Sequence, residues 1–197
     1  LRLKGYDYSS PGIYFVTICT TDRIEIFGNV ENSMPALSDI GYIADDCWKE
    51  IPDHFPQASL MECMIMPDHI HGLIRLRRNE IPMEKGRILG KEKGTILGKE
   101  KGTIYRASTE RNLEAFGKPT KGSIPTIIRT YKAAVTRIVN RKFPILSTFV
   151  WQPGYYEHIV RNRTELGYTI DYIKSNPREW EAEQIRLCGQ RRKRILP

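Results

Sequence analysis

Residues 59–76, SLMECMIMPDHIHGLIRL, read as two extended runs meeting at Pro67. Ser59 to Met66 forms the first run, and Gly72 to Leu76 resumes the extended pattern after the His-Ile-His triplet. Two paired strands in mid-chain constrain everything around them. Before them, Ile40, Ile43, Ala44, Cys47 and Trp48 recur at helical spacing. This predicts a helix from Ser38, its N-cap, to about Ile51, closed by Pro52. Earlier still, IYFVTICT (13–20) is a β-branched and aromatic run bounded by Pro11-Gly12 and Asp22, and reads as a strand. A further extended stretch is expected at Ile24 to Phe27, with Gly28-Asn29 as a turn.

After the paired strands, IPTIIRTYKAAVTRIVNR (124–141) is strongly amphipathic. Ile127, Ile128, Tyr131, Ala134, Val135, Ile138 and Val139 share one face, and Arg129, Lys132, Arg137 and Arg141 fall largely outside it. Tyr156 to Val160 reads as a last strand. A final helix starts near Thr164, with Glu165 in its first turn, and runs to about Ser175, before Pro177. The order strand, helix, paired strands, helix, strand, helix predicts an α+β fold: a ferredoxin-like antiparallel sheet with helices packed on it.

At 197 residues the chain suits one domain, with 40% hydrophobic and 27% charged residues favouring a packed core over disorder. The domain is expected to span 1–180, with a glycine-rich insertion at about 84–122 and a basic tail at 181–197. No apolar run approaches the roughly 20 residues that a membrane-spanning helix requires. Cys19, Cys47, Cys63 and Cys188 form no CxxC pair, which argues against a zinc ribbon and fits a reduced, cytoplasmic setting. A net charge of +8 and a pI near 9.4 point to a polyanionic partner, although basic proteins without one are common. The insertion contains an eight-residue repeat, EKGRILGK, EKGTILGK, EKGTIY, too short in period for a solenoid and too rich in glycine for a helix. Six basic and three acidic side chains at 84–103 leave it positively charged. It reads as a local duplication in a tolerant loop, with a DNA-grasping arm as the alternative.

Two constellations could carry chemistry. In an extended segment His69 and His71 share one face, so their imidazoles can serve one metal ion. A third ligand must come from elsewhere, and an isolated HxH is more often an ordinary hydrogen-bonded pair. On the last helix Tyr172 and Asn176 stand four residues apart on one face. A phenolate there could attack a phosphodiester beside an amide able to complete a metal shell. Taken alone, Tyr172 reads far more readily as a core aromatic and Asn176 as a helix-end residue before Pro177.

The combination is more specific than its parts. The motifs MPDHIHGLI (66–74), RTYKAAVTR (129–137), WQPGYYEHIVRN (151–162) and YIKSNP (172–177), in this order, resemble the HUH single-tyrosine transposases of bacterial insertion sequences. Among these the REP-associated tyrosine transposases are the most similar. The FVTICT run and the IFG at 26–28 also fit, so the resemblance covers about residues 13 to 180 apart from the repeat. It implies a ferredoxin-like fold, Mg2+ or Mn2+ on His69 and His71 with Asn176 as third ligand, and Tyr172 as nucleophile. It further implies single-stranded DNA cleavage beside hairpins through a 5′-phosphotyrosine intermediate, and in some members a homodimer. Arg129, Lys132, Arg137 and Arg161, together with the tail residues Arg191, Arg192, Lys193 and Arg194, are the expected DNA contacts.

Other readings compete. Tyr168 is the next candidate nucleophile, Tyr155 and Tyr156 read as packing or DNA-stacking residues, and Asp68 could orient one imidazole. A structured-DNA-binding protein without catalysis is one alternative. Another is a zinc hydrolase using His69, His71 and His158, for which Tyr172 would be dispensable.

Overall fold

The computed structural model describes residues 6–78, 120–144 and 150–195, with the side chains of 188–195 outside the description. Four strands build the main sheet: β1 (Gly12–Cys19), β4 (Ala58–Ile65), β5 (His69–Leu76) and β6 (Tyr156–Val160). Their order is β4-β5-β1-β6 and all neighbours run antiparallel. In chain order these are the second, third, first and fourth strands, so the sheet is ferredoxin-like and the fold is α+β, as the sequence predicts. A small hairpin, β2 (Gly28–Glu31) with β3 (Met34–Leu37), follows β1.

The pleat sorts side chains between two layers. Tyr14, Val16 and Ile18 of β1 and Ile70, Ile74 and Leu76 of β5 face a layer of helices: α1 (Asp39–Lys49), the single turn α2 (Ile51–His54) and α3 (Ile124–Lys142). There they meet Ile40, Ile43, Ala44, Cys47 and Trp48 of α1 and the isoleucine–valine face of α3. Trp48 and Tyr131 pack edge to face at 5.3 Å, and the Tyr131 hydroxyl donates to the Ala44 carbonyl. Gly72 makes this layer possible beside the histidines. A Cβ there would come within 2.2 Å of the Trp48 ring, so any side chain would drive α1 off β5.

Ile13, Phe15, Leu73, Met61, Met64 and Val160 point to the opposite face, where Leu166, Ile170 and Ile173 of α4 (Arg163–Ile195) cover them. A register shift in β4 between Leu60 and Cys63 puts these two residues, three apart, on the side of α1 and α3, with Met61 and Met64 on the other. His69 and His71 lie on the α4 face.

Ser38 caps α1 as expected, its Oγ accepting from the Gly41 N–H at 3.1 Å. Three details depart from the sequence reading. The extended stretch expected at Ile24 to Phe27 is not a strand. The hairpin lies just after it and turns at Asn32-Ser33, both with positive φ, rather than at Gly28-Asn29. Pro52 does not close α1 but sits in the first turn of α2, where its missing N–H costs nothing. The final helix does not end before Pro177 but runs through it to Ile195. Proline removes one helical hydrogen bond, and tertiary contacts offset the loss. Pro177 itself is buried, and beyond it the Glu181 carboxylate accepts from the N–H and Oγ of Ser33 at 3.0 and 2.8 Å.

The repeat at 84–103, and all of the insertion up to residue 119, lie outside the described residues.

Candidate active site

β5 begins at His69, and the pleat sends both imidazoles to the α4 face. Both rings are buried, and each is held by its Nδ1. Asp68 Oδ1 lies 2.5 Å from His69 Nδ1, and Thr17 Oγ1 lies 2.9 Å from His71 Nδ1. Thr17 sits opposite His71 in the β1–β5 ladder, so sheet register fixes that partner. The two Nε2 atoms are thereby turned toward one another and stand 3.1 Å apart. Neighbouring donors on an octahedral ion with bonds of about 2.1 Å are spaced at about 3.0 Å, so the pair suits a shared cation. Burial pushes the His71 imidazole down to about 3, and His69 and Arg23 act in the same direction. His71 is therefore neutral at physiological pH, the form in which imidazole ligates metals.

α4 supplies the rest. Asn176 is buried, with its amide Nδ2 3.3 Å from His71 Nε2. One turn earlier, the Tyr172 ring lies 5.2 Å from the His71 ring and edge-on to Phe15 at 6.1 Å. Tyr172 is 44% exposed and faces the same cleft. The 3.6-residue turn puts Tyr172 and Asn176 on one side of the helix, and Ile173 anchors that side in the sheet. Tyr156, Trp180, Glu179 and Glu183 complete a cleft of about 450 Å³, floored by Thr17, Cys19 and the two histidines. Tyr168 is 72% exposed and does not line it.

Other expected residues are placed elsewhere. His158 stands opposite Phe15 on β6 and bonds Glu165 Oε1 at 2.6 Å, apart from the histidine pair. Among the described residues, no group of three or more His, Cys, Asp and Glu side chains could hold a metal, so the three-histidine zinc reading finds no support in the fold. Arg129, Lys132 and Arg137 lie on α3, in the layer on the far side of the sheet from the cleft. Arg129 and Arg137 are exposed there. Lys132 instead donates to the carbonyls of Gln152 and Gly154 at 2.7 and 2.8 Å, clamping the loop that leads to Tyr156. Arg161 is exposed at the end of β6 remote from Tyr156. The side chains of Arg191, Arg192, Lys193 and Arg194, on the last turns of α4, lie outside the described residues.

Sequence reasoning missed Arg23. It sits in a short 3-10 turn after β1, and its Nε lies 2.7 Å from Asp68 Oδ2. Nothing in the TTDR sequence announces this, because the contact depends on a fold-determined meeting with the β4–β5 connection. Trp180 was missed for a similar reason, since it lies beyond the proline at which the helix was expected to stop.

No protein-family model matches the chain. It is 35% identical over 188 residues to an uncharacterised protein of Haemophilus influenzae, covering 94% of this chain and 91% of that protein. A second protein of the same organism, provisionally described as a REP-associated tyrosine transposase, is 23% identical over 171 residues, covering 87% and 73% of the two chains. Among solved structures, a REP-associated tyrosine transposase bound to a REP hairpin aligns with a TM-score of 0.50 at 15% identity, covering 91% of this chain and 70% of that one. A protein of Deinococcus radiodurans provisionally described as a transposase aligns at 0.45 and 16% identity, covering 88% and 95%. The chain thus shares the fold of a REP-associated tyrosine transposase and a distant sequence likeness to a protein provisionally described as one.

Proposed function

We propose that this protein cleaves and rejoins single-stranded DNA beside hairpins, using Tyr172 as nucleophile and a divalent cation, Mg2+ or Mn2+, held by His69, His71 and Asn176. The observation that carries the proposal is the convergence of two anchored imidazoles under a helix-borne tyrosine. Asp68 accepts the Nδ1–H of His69, leaving its Nε2 lone pair directed into the cleft. In the tautomer in which Thr17 accepts from His71 in the same way, both Nε2 lone pairs point into the cleft 3.1 Å apart. Burial keeps His71 neutral, the form able to ligate a metal. A cation bound there would take up both lone pairs.

Asn176 adds an amide whose oxygen, on rotation of the group, faces the same point. When bound, the cation would polarise a phosphodiester and offset charge on its oxygens. Tyr172 then has the reach and exposure to attack phosphorus as its phenolic O–H bond breaks. The bond to the 3′-oxygen breaks, that oxygen gains a proton, and the 5′-phosphate stays on the tyrosine. The phosphotyrosine bond conserves the energy of the broken linkage, so rejoining requires no nucleotide cofactor. The surplus of 31 basic over 23 acidic residues suits a nucleic-acid partner, and the hairpin in the neighbouring solved complex supports the choice of substrate.

The test is cation binding by calorimetry alongside Mn2+-dependent cleavage of hairpin-bearing single strands. His69→Ala with His71→Ala is expected to abolish both. Cleavage by the double variant with unchanged Mn2+ dependence would place the cation elsewhere.

A further inference from the structure

Among the described residues, Arg23 is the only lysine or arginine lining the cleft, where Glu179 and Glu183 would otherwise repel an anion. Its surroundings are built. Asp22 and Arg23 both adopt left-handed backbone conformations, with φ of 51° and 57°, in a turn whose ends are tied by the rest of the fold. Two consecutive non-glycine residues in this region carry strain, and such strain persists only where the surroundings over-determine it. Thr20 at the head of the turn is fully buried, and its Oγ1 donates toward the Ile24 and Asp68 carbonyls at 2.8 and 2.9 Å.

The guanidinium is oriented as well as placed. Its Nε meets Asp68 Oδ2 at 2.7 Å and its Nη1 donates to Cys19 Sγ at 3.0 Å, yet the side chain remains 51% exposed at the cleft. These contacts use part of a five-donor fork and leave the remainder for an oxygen anion. Asp68 is simultaneously the partner of His69 Nδ1, so one buried carboxylate fixes the relative position of the guanidinium and the first imidazole.

We propose that Arg23 grips a non-bridging oxygen of the phosphate seated between the histidine pair and Tyr172, and so sets which linkage of the strand faces the nucleophile. This rests on the strand-cleavage reading above and assigns that site its phosphate anchor. Arg23 thus contacts substrate, whereas Asp68 is a positioning residue acting through both neighbours.

The experiment measures affinity of the full chain for a labelled oligothymidylate strand across a KCl series, in chelator, so that side chains alone hold the phosphate. Each phosphate contact contributes about −0.7 to the slope of log affinity against log salt for single strands. Arg23→Gln is expected to lower affinity at low salt at least tenfold and to make the slope shallower by about 0.7. Arg23→Lys, which keeps the charge, is expected to retain the wild-type slope, with thermal melting confirming that both variants fold. An unchanged slope in a folded Arg23→Gln would overturn the inference, even if cleavage fell, because a positioning role alone does not move the count of phosphate contacts. Wild-type binding with no cleavage of any hairpin strand would defeat the strand-cleavage reading instead, and the slope comparison would still decide Arg23.

Discussion

The site depends on a few side chains whose second contacts do as much as their first. Asp68→Asn keeps the shape of the carboxylate but not its charge, so His69 loses the partner that fixes its tautomer. Cation affinity is expected to fall about 10- to 100-fold by calorimetry, and equal affinity would show that Asp68 serves Arg23 alone. His71 makes a pH prediction. Its value in the folded chain, about 3, lies below the ordinary 6.5, so the unfolded chain takes up the proton first. Stability of the cation-free protein is therefore full above about pH 6.5 and declines as pH falls toward 3. Melting curves of His71→Gln should lose part of that acid slope, and an identical slope would assign the effect to other groups. Tyr156, 60% exposed at the cleft wall, can stack a base, and Tyr156→Ala is expected to weaken single-strand affinity by about 1–3 kcal/mol.

Among the elements, α4 links the fold to the chemistry. Ile173 is fully buried between Leu73 and Val160, and Ile173→Ala is expected to cost about 2–5 kcal/mol in denaturant melts. A loss under 1 kcal/mol would mean that α4 is anchored chiefly through Glu181 and Ser33. This helix also marks what the sequence disclosed. Its start, its Tyr172–Asn176 pair and β6 were legible because helical and strand periodicity are local signals. So was the Ser38 cap of α1. Its continuation through Pro177 was not, because the contacts that offset proline come from a hairpin nearly 150 residues earlier in the chain. That hairpin was itself obscured: Asn32-Ser33 is a good pair for a tight turn, but Gly28-Asn29 is the more conspicuous dipeptide and drew the turn assignment. Lys132 falls outside the apolar stripe of its helix. Helical spacing cannot reveal that a loop would bring two carbonyls to it.

Across the whole molecule, the sheet holds two layers with separate duties. α1 and α3 bury the main core, and α4 covers the opposite face and completes the cleft. Among the described residues, no helix is long and apolar enough to cross a membrane. The tyrosine and the histidines that meet in the cleft come from one chain, 5.2 Å between the Tyr172 and His71 rings, so the geometry needs no second copy. An equimolar mixture of Tyr172→Phe with the His69→Ala, His71→Ala double variant is therefore expected to remain inactive. Recovery of cleavage in the mixture would show that active sites are shared between subunits. The most direct measurement of covalent chemistry is incubation of labelled, hairpin-flanked single-stranded DNA with the protein and Mn2+, followed by denaturing electrophoresis. A labelled species migrating with the protein and lost in Tyr172→Phe, while hairpin binding persists, is the expected result. Hairpin binding with no adduct, across several substrates and cations, would contradict it and leave a protein that recognises structured DNA without cutting it.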